Sequence, residues 1–255
     1  MLTATRQADQ AKVLARDAKK PEAPFICPRC RAEVVLRKGR IKTHHFAHKP
    51  PVTCAMGAGE TAQHLAAKQE IFDALLGEPR VTGVELEKDF GVSVADVFAV
   101  ISGTKVAVEI QRSTLSVAEI IARTVNYHRL GISVLWIGLP NQDLSSSRYS
   151  PRAWEKWAHA AYFGRIYVWV QGQTLEAYHL DKYKIYVEES SWHGPGGSEE
   201  SAGGYERVSR RWRTPRWIRE VDIATDFAPT RRASWAGGTV SVPQCSLYVD
   251  KRDPS

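Results

Sequence analysis

The chain is short of sulfur, of long apolar runs and of repeating units, and each shortage removes a class of protein. Four cysteines in 255 residues cannot build the disulfide framework of a small secreted fold. No apolar run approaches the roughly 18 residues that a bilayer crossing demands, so no membrane partner is expected. The opening stretch MLTATRQADQAKVLARDAKK holds nothing hydrophobic enough for a signal peptide, and a reducing cytoplasm is the expected setting. A phosphate-cradling glycine loop, a heptad pattern and a serine-hydrolase elbow are also missing. The rest is of ordinary globular composition and long enough for one large core with small appendages. A net charge of +7 and a pI near 9.3 point to a polyanionic partner.

Two of the few cysteines stand in Cys27-Pro28-Arg29-Cys30, a spacing that offers two thiolates on one tight turn. A hairpin is expected behind them, with strands Glu33–Leu36 and Ile41–Thr43 turning through Arg37-Lys38-Gly39-Arg40. His45 and His48 follow and complete a Cys2His2 set for a structural Zn²⁺, with His44 and Cys54 as substitute ligands. The redox use of Cys-x-x-Cys expects a βαβ context that this segment lacks. A bound metal would staple a segment too small to own a core. Residues 1–24 have helix propensity without a clean apolar stripe and are expected to form an edge hairpin or a frayed lead-in.

The clearest helix follows, GAGETAQHLAAKQEIFDALLG, with Leu65, Ile71, Phe72, Leu75 and Leu76 on its apolar side and Gly77 as its stop. Glu60, His64 and Lys68 recur at i, i+4 and i+8 and so line one polar ridge, Glu60 in the expected first turn. A strand is expected over Arg80–Lys88. In Gly91–Ser113 two β-branched runs then flank Ser102-Gly103-Thr104, which reads as a hairpin. Alternation sets Val92, Val94, Asp96, Phe98 and Val100 on one face of the first run, and Ala107, Glu109 and Gln111 on one face of the second. A turn at Ser102-Gly103 places Asp96 opposite Glu109; a turn at Gly103-Thr104 places it opposite Gln111. Facing carboxylates repel, and a divalent metal between them removes that penalty. The competing reading leaves both acids in solvent on a half-exposed sheet. Ser116 and Glu119 then cap a helix running to Leu130, on which Arg123 and Tyr127 share a face, and Ile132–Leu139 reads as a buried central strand. The order helix, three strands, helix, strand implies a mixed sheet with helices on its faces.

Taken in order, CPRC…HFAH, the helix ExxxHxxxK, the aspartate followed by EIQRS, the RxxxY helix and the VLWIG strand resemble the CoiA-like competence proteins, a family of the PD-(D/E)XK nuclease superfamily. The resemblance covers roughly residues 10–140. It implies an α/β (α+β) fold with an αβββαβ restriction-endonuclease-like core, and a metal site formed by Glu60, Asp96 and Glu109. The lysine that usually follows the last acid in that superfamily is here Gln111. The implied activity is hydrolysis of DNA phosphodiester bonds with Mg²⁺ or Mn²⁺, in DNA uptake, recombination or defence against foreign DNA, with RNA an open alternative. Gln111 would orient a water, Lys68 or His64 would supply the missing cation, and Arg123 and Tyr127 would contact phosphate or brace the site. A non-catalytic nucleic-acid-binding or scaffold protein with the same fold is the second expectation, and protein partners in a DNA-processing or defence complex fit either.

Beyond Asn141 an aromatic-rich helix is expected over Pro151–Phe163, then a hairpin of Arg165–Gln171 with Thr174–His179, and a strand at Lys184–Glu188. Ser190–Gly204 reads as a flexible linker or a long loop. Tyr205–Arg219 holds six arginines against one glutamate, interleaved with Trp212 and Trp217; it reads either as a segment gripping nucleic acid, with Arg210, Arg211 and Arg213 as candidates, or as an arginine-decorated surface strand with two core-facing tryptophans. Residues 220–255 read as short strands and a tail. The expected organisation is a zinc-ribbon-like module over 1–55, a nuclease-like core over 56–140, a helix-plus-hairpin extension over 141–190, and a linker with a basic segment over 191–255.

Overall fold

The computed structural model describes residues 1–40, 42–51, 54, 56–57, 59–111 and 115–251. An N-terminal sheet comes first, with strands β1 (Thr3–Arg6), β2 (Lys12–Leu14), β3 (Phe25–Ile26), β4 (Glu33–Arg37) and β5 (His45–His48) in the order β2-β1-β3-β4-β5. The lead-in is therefore a hairpin, Thr3 opposite Leu14. Phe25, Val34, Leu36 and Phe46 bury a small core beneath this sheet. The strand expected at Ile41–Thr43 forms later, as β5, because the register Leu36↔Phe46 puts both apolar side chains on the buried face. Ile41 itself lies outside the described residues.

The next elements are α1 (Ala62–Leu76), β6 (Val81–Asp89), β7 (Val94–Ile101), β8 (Thr104–Gln111), α2 (Val117–Arg129) and β9 (Ser133–Gly138). Ser102 and Gly103 both have positive φ, 46° and 81°, which is the two-residue turn that suits the twist of a hairpin. The ladder it starts runs from Ile101↔Thr104 to Val97↔Val108. One step further that register sets Asp96 opposite Glu109, and the Ile110 N–H turns to the Asp96 carboxylate at 2.9 Å. α2 carries the chain across so that β9 lies parallel to β8, with all six β9 residues buried. Its N-terminus has the expected capping box of Ser116 and Glu119.

The chain continues through α3 (Ala153–Ala161), β10 (Ile166–Gln171), β11 (Thr174–Val187), β12 (Ser190–His193), β13 (Glu199–Ala202), β14 (Tyr205–Asp222), β15 (Phe227–Arg232), β16 (Trp235–Gly237), β17 (Val240–Val242) and β18 (Cys245–Asp250). The large sheet has the order β14-β11-β10-β9-β8-β7-β6, and β18 joins it parallel to β9 and carries β15. The C-terminal third is thus woven into the main sheet. Lys184–Val187 extends β11 past an irregularity at Lys182/Lys184 instead of starting a strand of its own. Ser190–Gly204, expected as a linker or long loop, folds into the exposed β12–β13 hairpin, with Gly196 and Gly197 at positive φ in its turn. No helix among the described residues is long and apolar enough to cross a membrane.

Candidate functional site

Cys27, Cys30, His48 and Cys54 each bring a ligand atom to one place, all within 4.8 Å of one another. The turn that carries the first two is closed by Cys27 N–H to Ala32 O at 2.8 Å and by Arg31 N–H to Cys27 O at 3.0 Å, Arg31 taking φ 63°. His45 is not in this group. On an extended strand a spacing of three puts side chains on opposite faces, and the His45 ring lies 2.9 Å from Thr43 O instead. Cys54 takes the place expected for His45, so the set is Cys3His1. Three thiols and an imidazole suit a structural Zn²⁺. Burial pushes the Cys27 thiol up to about 11, a cost that a bound cation removes.

A second cluster is built from α1, β6 and β7. Thr61 caps α1 by accepting the His64 N–H, so Glu60 stands just before the cap and not in the first turn. Lys68 donates to Glu60 at 2.5 Å and to Glu87 at 2.6 Å, and lies 3.4 Å from Asp96, with 2% of its side chain exposed. Burial opposes the ammonium, but Glu87, Glu60 and Asp96 outweigh it and raise its pKa. Lys68 is therefore the internal counter-ion of three carboxylates and is not free to meet a substrate.

Glu87 is the site residue that sequence reasoning missed. Alternation along β6 buries Leu86 and turns Glu87 outward, yet both are buried because Glu87 adopts φ 48°. Its carboxylate accepts from Leu2 N–H (2.8 Å), Thr3 N–H (2.9 Å) and the Thr3 hydroxyl (2.7 Å). These bonds dock the N-terminal sheet on edge strand β6, together with Lys12, whose ammonium donates to Leu86 O at 2.6 Å. The Met1 ammonium also lies 2.5 Å from Glu60.

His64 reaches Asp96 at 3.3 Å and Glu60 at 3.6 Å. Although burial works against its charged form, those two acids raise it to about 9. Asp96 is likewise opposed by burial, but Lys68 and His64 hold it well below the usual carboxylate range. Glu109 has a different environment. Both its oxygens accept from Arg123 at 2.6 Å and one accepts from the Tyr127 hydroxyl at 2.5 Å. Burial, aided by Asp96, still pushes Glu109 up to about 7. Tyr127 is fully buried with its hydroxyl on Glu109, an arrangement that fits the bracing role of the two expected for it. Arg123 is engaged by Glu109 and by the Val94 carbonyl at 2.7 Å.

A cavity of about 370 Å³ opens over this cluster, lined by Glu60, His64, Asp96, Gln111, Arg123 and Arg29 among others. Glu109 lies behind that wall, 1% exposed. Far from it on β14, the arginines divide. Arg213 donates to the carbonyls of Ser209 and Trp212, both at 2.7 Å, and Arg211 stacks on the Trp212 ring. Arg216 pairs with Asp181, and Arg219 with Asp226 and Asp250. Arg210 is exposed and makes no ion pair among the described residues.

These features define an α+β protein in which a zinc-module-like Cys/His cluster adjoins a sheet core bearing an acid-lined pocket. Residues 7–57 match the model of the competence protein CoiA N-terminal domain, and residues 60–159 that of the competence protein CoiA nuclease-like domain. The chain belongs to the CoiA-like competence protein family, as its motifs indicated. It is similar to competence protein CoiA of Bacillus subtilis (strain 168), 31% identical over 121 residues. The match takes in 44% of this chain and 31% of that protein, so it spans about a third of the relative's length. No solved structure gives a significant match.

Proposed function

We propose that the protein is a metal-dependent nuclease that hydrolyses DNA phosphodiester bonds in the cytoplasm, during uptake, recombination or defence. The observation that carries this reading is Asp96: a carboxylate kept ionised by Lys68 and His64, open to a cavity, and one step past the Val97↔Val108 pair, on the Glu109 side of the ladder. The run α1, β6, β7, β8, α2, β9 supports a restriction-endonuclease-like core of the PD-(D/E)XK kind. Carboxylates are the hard oxygen donors that Mg²⁺ and Mn²⁺ prefer, so Asp96 and Glu109 would hold the ion, with Glu60 as third acid. When bound, such an ion lowers the pKa of a water and polarises a phosphoryl oxygen. Gln111 orients the attacking water through its amide. Lys68 keeps Glu60 and Asp96 ionised, and Arg123 with Tyr127 fixes the Glu109 carboxylate. The exposed arginines of β14 add phosphate contacts.

A second reading has its own support. Lys68 and His64 already pair with the acids around them and Arg123 already pairs with Glu109, while Gln111 brings no cation, which favours a non-catalytic nucleic-acid-binding or scaffold protein. The experiment is incubation of labelled single- and double-stranded DNA with the zinc-loaded protein, with Mg²⁺, with Mn²⁺ and with neither. Cutting that needs the metal and disappears in a folded Asp96→Asn variant supports the nuclease. DNA bound but never cut decides for the scaffold.

A further inference from the structure

The acid-lined cavity poses an electrostatic problem for any phosphodiester that enters it. Lys68 is held by Glu60 and Glu87, His64 by Asp96 and Glu60, and Arg123 by Glu109. None of these cations is available to a phosphate without giving up a carboxylate. Gln111 is neutral. Arg29 is different: it lines the same cavity, is exposed, and makes no ion pair among the described residues.

Its placement is unusual because it comes from the other sheet. Arg29 sits between Cys27 and Cys30, on the turn closed by the Cys27–Ala32 and Arg31–Cys27 backbone hydrogen bonds. The N-terminal sheet is in turn anchored to β6 by the Leu2 and Thr3 hydrogen bonds to Glu87, and Met56 and Gly57 form part of the same cavity wall. The turn is thus closed by its own backbone and belongs to a sheet tied to β6, and it sets Arg29 on the cavity wall.

We propose that Arg29 is the phosphate-binding cation of this site, so that the Cys/His module contributes a substrate contact and is not only a staple. A guanidinium pairs with a phosphate through two parallel N–H donors, which fixes the strand's position as well as neutralising it. This inference rests on the nuclease reading for its chemistry, but its binding component stands apart from it. It also predicts that losing the Cys/His cluster impairs the pocket through Arg29 even where the large sheet stays folded.

The test compares the parent with Arg29→Ala, Arg29→Gln and Arg29→Lys, each zinc-loaded and full length. Affinity for a short labelled DNA duplex is measured at several salt concentrations without Mg²⁺ or Mn²⁺, beside zinc content and thermal stability. The expected result is a several-fold loss of affinity in the Ala and Gln variants. Their salt slope should fall by about 0.9, the value for one phosphate contact. The lysine variant should recover the slope, and zinc content and thermal stability should stay unchanged throughout. Where the parent cuts DNA, kcat/KM should drop about tenfold or more in Arg29→Ala. Unchanged affinity and slope overturn the proposal. So does zinc lost in step with affinity in both neutral variants, which would assign Arg29 to the thiolates. A parent that never cuts removes the nuclease reading while the binding comparison still decides Arg29. A parent that cuts, with Arg29→Ala cutting and binding equally well, removes Arg29 alone.

Discussion

Lys68 and Glu87 meet at 2.6 Å with 2% and 3% of their side chains exposed, and neither was given that partner by its place in the sequence. Breaking a buried pair from one side costs roughly 3–5 kcal/mol, because the remaining charge keeps its desolvation penalty without compensation. Lys68→Met should therefore destabilise by about that amount in urea unfolding of the protein without added Mg²⁺ or Mn²⁺. Adding Glu87→Gln should recover part of the loss. A Lys68→Met protein as stable as the parent would show that the ammonium compensates nothing.

The two histidines and the late cysteine make a sharper test of the metal cluster. Cys54→Ser should lower zinc content and thermal stability, whereas His45→Ala should keep one zinc per chain. Elemental analysis of protein purified without chelator reads both. Zinc retained in Cys54→Ser and lost in His45→Ala would restore the Cys2His2 set.

How far the sequence was legible depends on whether each signal was local. Ser102-Gly103, the Ser116/Glu119 capping box and the apolar run at β9 are local, and all three appear where their chemistry puts them. Glu87 was hidden because one residue of left-handed backbone reverses the alternation on which the reading of β6 depends. His45 misled because spacing of three means one face on a helix but opposite faces on a strand. Ser190–Gly204 resembled a linker because glycine and serine serve hairpin turns as readily as flexible coil. Lys68 does meet Glu60, as their spacing suggested, but Glu60 precedes the helix, and the burial of Lys68 and the other charges around it are tertiary facts.

The arginines of β14 should separate by surroundings. Arg210→Ala should weaken DNA binding and flatten its salt dependence with little change in stability. Arg213→Ala should lower thermal stability, since the Ser209 and Trp212 carbonyls lose their donor. Equal effects of the two on the salt slope would contradict this division.

His159 supplies a pH dependence away from either cluster. Its Nε2 accepts the Leu180 N–H at 3.1 Å, its ring lies 4.7 Å from that of His179, and His179 faces Asp181 at 3.5 Å. Burial, then His179 and Arg213, push His159 down to about 4 from an ordinary 6.5. The unfolded chain takes up this proton first on acidification. Stability from neutral His159 is thus complete above about pH 6.5 and is lost as pH falls through about 4. Between those values the parent should lose more thermal stability than His159→Gln, whose side-chain oxygen can still accept the Leu180 N–H. Parallel melting curves across that range would rule the imidazole out as the cause.

Asp96 and Glu109 face one another in register, and simple repulsion would make neutralising either one harmless or stabilising in the absence of a divalent ion. The surroundings split that expectation. Asp96 accepts from Ile110 N–H and lies against Lys68 and His64, all of which favour its ionised form. Asp96→Asn removes the charge that both cations face, so it should cost about 1.5–3 kcal/mol of stability, the range for a hydrogen bond to a charged group. Glu109 is pushed up to about 7 by burial and Asp96, so its ionised form is held less favourably despite Arg123 and Tyr127. Glu109→Gln keeps an oxygen for both donors and relieves Asp96 of a like charge, so it should cost distinctly less. Zinc-loaded protein at pH 8 without Mg²⁺ or Mn²⁺ is the sample to unfold, because a bound ion would mask the difference. Both variants should be inactive where the parent cuts, although only one is much destabilised. If Glu109→Gln proves the more destabilising, the Arg123–Glu109 pair, and not the Lys68 cluster, holds this face of the sheet together.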